Sequence, residues 1–439
     1  MKGRLFFTLL LFTGISQQGW SQSAALRKWV TAELLQKAPL QQAHTGICIF
    51  EPATGKYIFQ YQDDKFFTPA SNTKIFSLYA GLQLLGDSLP ALRYYETDTA
   101  LFVKGMGDPA FLHPDFIDQR AFRMLTETCK RIYLIPAVNL NQRYGPGWAW
   151  SDYADYYQPE LNEWPMYGNV VRIYHQGDSN HITPAFFKRL GVFNVGVNDA
   201  LSSPLTTREE RQNIFSLQYA TKDKSSTSRE VPFITGTLEN VRQLLEDTLH
   251  KQVFIAAANT AIPDQPFNTL HSIPADSLFI PMMHRSDNFF AEQILMMCAA
   301  RKWDTISTNK TIEYVLQDLL PDLPHPPQWA DGSGLSRYNL FTPRDFVKVL
   351  TNMQAAFPQE RLWAIFPTGG KGTLQGYYPE QFIHAKTGTL NGCVALSGYL
   401  TTKKGKSLVF SVLVNQHYDT SSSVRRAIEK LLTRVWETN

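Results

Sequence analysis

The chain has 439 residues, room for about three domains at roughly 150 residues each. Hydrophobic residues make up 44%, charged residues 18% and aromatics 13%, a composition that excludes a disordered or collagen-like chain. Lys+Arg number 42 against 39 Asp+Glu, a net +3, and no dense basic run supplies a footprint for a polyanion, so no nucleic-acid partner is expected.

In chain order, the first predicted element is an export signal. Lys2 and Arg4 form a positive n-region, Leu5 to Ile15 an apolar core, and Ser21-Gln22-Ser23 the small residues that precede cleavage before Ala24. The apolar stretch is too short to span a bilayer, and no later segment reaches about 18 uninterrupted apolar residues. The expectation is an exported chain, soluble in an extracytoplasmic space, with no transmembrane anchor and no cysteine near the cleavage site to carry a lipid.

After the signal, residues 25–37 have helical spacing with Leu26, Trp29, Val30 and Leu34 on one side. Ile47 to Phe50, the turn Pro52-Ala53-Thr54-Gly55 and Tyr57 to Phe59 read as a β-hairpin. Pro69-Ala70-Ser71-Asn72-Thr73-Lys74 then precedes an apolar-periodic helix, Ile75 to Leu85, ended by Gly86. From 96 to 269 the texture changes to short strand-like runs, such as Leu101 to Val103 and Val253 to Ile255, between Gly/Pro/aromatic segments, with a polar loop tip at Lys222 to Arg229. This reads as an inserted region of one or two small β-rich domains. Helices return at Phe289 to Ala300 and Thr311 to Leu320, and the chain closes with strands at Val394 to Leu400 and Ser407 to Val414 and a helix from Ser422 to Trp436. Strands at both ends are expected to share one sheet covered by helices, so that 24–95 and 270–439 form one α/β (α+β) domain around the insertion.

Ser71 and Lys74 lie three residues apart and would share a helix face. An amine there can take the hydroxyl proton while the helix N-terminus favours the developing negative charge. Alone, S-x-x-K is more often a capping serine, and the chain holds a second example in Ser307-Thr308-Asn309-Lys310. Two further motifs distinguish them. Ser286-Asp287-Asn288 opens the Phe289 helix and Lys386-Thr387-Gly388 begins a strand; with Ser71 and Lys74 they make the ordered set of penicillin-binding proteins and class A β-lactamases. Ser307 follows Ser286 and so cannot be its first member.

The sequence resembles the serine penicillin-recognising enzymes, and within them the D-alanyl-D-alanine carboxypeptidase/endopeptidase family of low-molecular-mass (class C) penicillin-binding proteins, peptidase family S13. The likeness covers nearly the whole mature chain and includes Gly105 to Pro109, Tyr144 to Asp152, Asp331 to Asn339, Gly372 to Leu374 and Ala385 to Leu390. The long insertion after the first motif is a family trait, whereas class A β-lactamases place their second motif only several tens of residues after the first. After Tyr157 the family's Ser-Ala-Leu stretch is replaced by Gln158-Pro159-Glu160-Leu161-Asn162. The resemblance implies a β-lactamase/transpeptidase-like domain with an antiparallel sheet, acting on peptidoglycan stem peptides ending in D-Ala-D-Ala and acylated by β-lactams. It implies Ser71 as nucleophile, Lys74 as base, Ser286 and Lys386 as proton relay, Asn288 on a substrate amide, and Ser71 and Thr389 N–H groups as the oxyanion hole. Thr387, Gly388 and Thr389 would line the substrate strand, and Asp152, Tyr157 and Arg337 would read the stem peptide. The alternatives are a β-lactamase or esterase of the same superfamily, or a non-catalytic wall-binding protein on this fold.

No metal or organic cofactor is implied. The ten His include no H-E-x-x-H. Cys48, Cys129, Cys298 and Cys393 are widely spaced, which favours buried or singly paired thiols over ligands. His384, two residues before Lys386, is expected to pack rather than act as a base, and Gly369 to Thr373 to form a turn rather than a phosphate loop. The aromatics Trp148, Trp150, Tyr153, Tyr156 and Tyr157 suit either a glycan or peptide platform or the core of the insertion.

Overall fold

The computed structural model describes residues 24–176, 179–202, 204–220, 227–257 and 266–439. The export signal lies outside the described residues, as does most of the polar segment expected at 222–229. Thr227 to Arg229 belong instead to the strand Thr227–Pro232, where they pair with Ile173 to His175; the polar side chains that suggested a loop are compatible with a strand bonded through its backbone.

The chain divides into two compact units. One takes the described residues up to Asn72 with Asp322–Gln328 and Asn339–Asn439, the other Thr73–Pro321 with Trp329–Tyr338. The first unit is built on a five-stranded antiparallel sheet of β1 (His44–Glu51), β2 (Lys56–Tyr61), β3 (Ile383–Leu390), β4 (Cys393–Thr401) and β5 (Ser407–Asn415). Its spatial order is β3-β4-β5-β1-β2, so strands from the two ends of the sequence meet where Ile47 pairs with Val412. β4 and β5 are buried along almost their whole length, which their near-continuous apolar sequence requires of strands covered on both faces. The C-terminal helix Ser421–Thr438 packs Val424, Ile428, Leu431 and Val435 into one core with Leu26, Val30 and Leu34, the predicted face of the first helix. The helix Pro343–Ala356, started by a Thr342/Asp345 capping box, receives a hydrogen bond from Tyr399 Oη to Leu350 O at 2.9 Å.

The second unit contains a five-stranded sheet in the order Val253–Ile255, Arg131–Leu134, Ala100–Gly105, Ser88–Glu96, Asn268–Pro274, and two three-stranded sheets. Its central helices are α1 (Lys74–Leu84), α2 (Asp276–Arg285) and α3 (Asn288–Trp303). Every residue of α3 from Phe289 to Ala300 is buried, so α3 has no solvent stripe and is packed all round. Among the described residues no helix is long and apolar enough to cross a membrane. None of the four cysteines is joined in a disulfide; Cys129 is exposed and the others are buried.

Candidate active site

Ser71 and the Lys386 motif belong to the first unit. Ser71 sits in a tight helical turn, Ala70–Thr73, that leads straight into α1; such tightening is common at helix N-termini. The neighbouring Asn72 is fully buried and its Nδ2 donates to Lys386 O at 2.8 Å, pinning β3 to the serine turn. Lys386 stands in the middle of β3 rather than at its start, and with no solvent exposure it cannot act as an edge-protecting surface charge. Its Nζ donates to Thr387 O at 2.7 Å, while Thr387 Oγ1 donates to Thr373 Oγ1 at 2.8 Å.

Gly388 explains how closely these pieces meet. A Cβ on it would lie 2.7 Å from Pro69 O and 3.1 Å from the backbone nitrogens of Ser71 and Asn72, so only glycine lets this strand run against the serine turn. Thr389, next in β3, is exposed, and its Oγ1 accepts from Arg425 Nη2 at 2.7 Å. Arg425 was not singled out from sequence, because nothing local ties a residue of the last helix to this strand.

Lys74, Ser286, Asn288, Asp152, Tyr157 and Arg337 belong to the second unit. Lys74 is wholly buried, and its Nζ donates to Asn288 Oδ1 at 2.6 Å and to Ser333 O at 2.7 Å. Burial lowers its pKa to about 8, against the opposing pull of Asp331, Asp287 and Glu292. At that value a useful fraction of the amine is neutral near pH 7 and can accept a proton.

Ser286 ends α2 in the left-handed region, with φ of 62°. The capping of α3 falls to its neighbour Asp287, which accepts from Phe290 N at 3.0 Å; neither Ser286 nor Asn288 is used up as the cap. Asn288 also donates from Nδ2 to Tyr157 O at 3.0 Å, so the residue that holds Lys74 is also tied to the segment carrying the expected recognition residues. Tyr157 Oη, with one proton to share, stands 2.9 Å from Asp152 Oδ2 and 3.0 Å from Asp155 Oδ2. Burial and these two carboxylates push the phenol well above its ordinary pKa. Arg337 is exposed, at the far end of the Asp331 to Asn339 segment. Asp155 was missed in the sequence, where only its spacing from Asp152 could have flagged it.

Structural contacts account for several of the remaining candidates. Ser307 caps the helix Thr308–Tyr314 by accepting from Lys310 N at 3.2 Å, so the second S-x-x-K is a helix start. His384 stacks on Trp363 with ring centroids 4.7 Å apart. Thr368 to Thr373 turns back through the Lys371 N to Thr368 O bond at 3.1 Å. The aromatic cluster splits: Trp148 Nε1 donates to the buried Asp331 at 2.8 Å, whereas Trp150 and Tyr156 are exposed at 76% and 66%.

Residues 27–435 match the model of the D-Ala-D-Ala carboxypeptidase 3 (S13) family. The chain is 24% identical over 452 residues to the penicillin-sensitive carboxypeptidase A of Dictyostelium discoideum, covering 88% of this chain and 85% of the relative. It is 23% identical over 449 residues to the D-alanyl-D-alanine carboxypeptidase DacB of Haemophilus influenzae, covering 90% of each. The crystal structure of penicillin binding protein 4 (dacB) from Haemophilus influenzae shares the fold, with a TM-score of 0.72 at 21% identity over 92% of this chain and 99% of that one. With the ordered motifs and the match over nearly its whole length, the chain belongs to the D-Ala-D-Ala carboxypeptidase 3 (S13) family, the serine-type D-Ala-D-Ala carboxypeptidases.

Proposed function

We propose that this peptidase works through an acyl-enzyme on Ser71. The Ser71 hydroxyl adds to the penultimate D-Ala carbonyl of a peptidoglycan stem peptide as Lys74 Nζ takes its proton. The tetrahedral oxyanion is met by the N–H groups of Ser71 and Thr389, where one such donor is typically worth ~3–4 kcal/mol. Collapse breaks the peptide bond, and the leaving D-Ala amine receives a proton relayed through Ser286 and Lys386. Asn288 holds a substrate amide, and water then hydrolyses the ester to free Ser71. Thr387, Gly388 and Thr389 offer the peptide a β3 backbone to pair with.

The observation that carries this reading is Lys74, a buried amine held by Asn288 and Ser333 with its pKa lowered to about 8. A β-lactam presents a strained amide to the same serine, and the Haemophilus influenzae protein has been solved complexed with a novel β-lactam. The deciding experiment is mass mapping after reaction with a labelled penicillin, with D-Ala release followed in parallel. Label on Ser71 and release of D-Ala are expected; label on any other serine would overturn the assignment. Products from cross-linked muropeptides separate carboxypeptidase from endopeptidase action.

The same reading takes 96–269 as an insertion in the catalytic domain and the protein as exported to the periplasm, supported by the leader-like residues before Ala24. Asp152 and Tyr157, with Arg337, read the stem peptide's side chain: a carboxylate at Asp152 pairs with the free amine of a diamino-acid residue.

A further inference from the structure

Two consecutive residues of the Asp331 to Asn339 segment have all four of their backbone polar groups engaged by α1 and α3. Gly332 N donates to Glu292 Oε2 at 2.9 Å and Ser333 N to Glu292 Oε1 at 2.7 Å. Gly332 O accepts from Ser77 Oγ at 2.6 Å, and Ser333 O accepts from Lys74 Nζ at 2.7 Å. A Cβ on Gly332 would lie 2.8 Å from Ala291 O and 3.0 Å from Leu295 Cδ1, so glycine is what allows the segment to lie against α3.

Glu292 stands four residues after Asn288, hence on the same face of α3. That face therefore supplies one acceptor for the Lys74 amine directly, Asn288 Oδ1, and fixes the second, Ser333 O, through Glu292. A neutral amine has two N–H donors and one lone pair. Two fixed acceptors take the donors and leave the lone pair a single tetrahedral direction. Ser77, three residues after Lys74 on α1, closes the clamp from the other side.

We propose that Glu292 is a positioning residue for the acylation step: by gripping the Gly332-Ser333 backbone it holds the Ser333 carbonyl against Lys74 and so aims the lone pair of the base. This rests on the reading of Lys74 as the base of Ser71. Glu292 is itself 1% exposed in an otherwise apolar run, Phe289-Phe290-Ala291 before it and Ile294-Leu295 after Gln293. Burial and the charge of Asp331 push its carboxyl pKa up, while its two backbone donors oppose that rise. A buried acid is costly where only packing is needed; here both its oxygens are spent on the segment that touches the base. Asp331 holds the same segment from within, accepting from Gly334 N at 2.8 Å and Ser336 N at 2.7 Å.

The test is the second-order rate of acylation by a fluorescent penicillin, measured against pH on the full-length protein. In Glu292→Gln the amide nitrogen faces a backbone N–H instead of accepting from it, which frees one end of the Gly332-Ser333 grip. The expected result is a fall of about 100-fold, the usual consequence of misplacing a reacting group by about 1 Å. The acid limb of the profile should also move to lower pH. Among the charges facing Lys74 are Asp287, the cap of α3, Glu292 of α3 and Asp331 of the segment; because burial raises the Glu292 pKa, the shift comes chiefly from loosening Ser333 O, which weakens the hold on the ammonium so that it loses its proton more readily. Mere loss of stability would lower the folded fraction without moving that limb. Ser77→Ala, which opens the other end of the clamp, should slow acylation by about 10-fold in a folded protein and decides the matter if Glu292→Gln does not fold. Wild-type rate and an unmoved acid limb in a folded variant would overturn the proposal, whereas failure of the wild-type protein to label at Ser71 would overturn the peptidase mechanism beneath it.

Discussion

Lys74 and Lys386 are both sealed from solvent, one in each compact unit, and their burials are built differently. Lys386 lies in the middle of a strand, and its amine bonds the carbonyl of the next residue, a contact that travels with the strand. Lys74 bonds Asn288 and Ser333, residues remote in sequence, with Asp331, Asp287 and Glu292 close enough to pull on its proton. The difference teaches that an amine's availability as a base is a tertiary property. Burial pushes its proton off, fixed carboxylates pull it back, and the balance near pH 8 depends on where the fold places both.

The sharpest way to break that comparison is Lys74→Arg. The guanidinium keeps the charge and cannot accept a proton, so acylation by labelled penicillin should fall by about 10³-fold or more, within the usual range of general-base contributions. Near wild-type labelling would hand the role to another residue. The pH dependence sharpens it next. Because the Lys74 amine loses its proton at about 8, acylation should rise with pH and level off above that value, declining about tenfold per unit on the acid side. The stability sign follows from the same shift: between about 8 and 10.5 the unfolded chain holds a proton that the native state has released, so this group adds stability as pH rises through that window. The difference in melting between wild type and Lys74→Met should therefore move in favour of wild type across it, and a difference independent of pH would remove the lowered pKa.

In the first unit, Gly388→Ala probes the strand side of the comparison. Its methyl would meet Pro69 O and the Ser71 nitrogen, and overpacking of this kind costs about 1–3 kcal/mol; lower melting with slower acylation is expected, and an unchanged rate would separate β3 from the serine turn. Asp152→Asn should have a smaller, selective effect, reducing kcat/KM about tenfold for a stem peptide with a free side-chain amine while leaving benzylpenicillin acylation unchanged. Equal loss toward both ligands would mark a structural role. Smallest of all, Ser307→Ala should leave labelling untouched and cost about 1 kcal/mol as a lost helix cap.

What the sequence by itself determined is the part governed by local rules. Hydrophobic period and turn residues placed the hairpin of β1 and β2, the last two strands and the closing helix, and the apolar patterns at both ends were enough to expect one shared sheet. The order of Ser71, Ser286 and Lys386 was readable because motif chemistry survives in one dimension. The second S-x-x-K is a helix cap in the structure, with Ser307 accepting from Lys310 N. Only the tertiary structure decided that Lys386 sits mid-strand beneath full burial, that Asn72 and Gly388 lock β3 to the serine turn, and that Glu292 reaches Gly332 and Ser333. Glu292 showed in sequence only as an acid in an apolar helix. The physical reason is separation along the chain: caps and periodicity act over three or four residues, whereas the bonds that set a buried amine's proton affinity join side chains that become neighbours only when the helices pack.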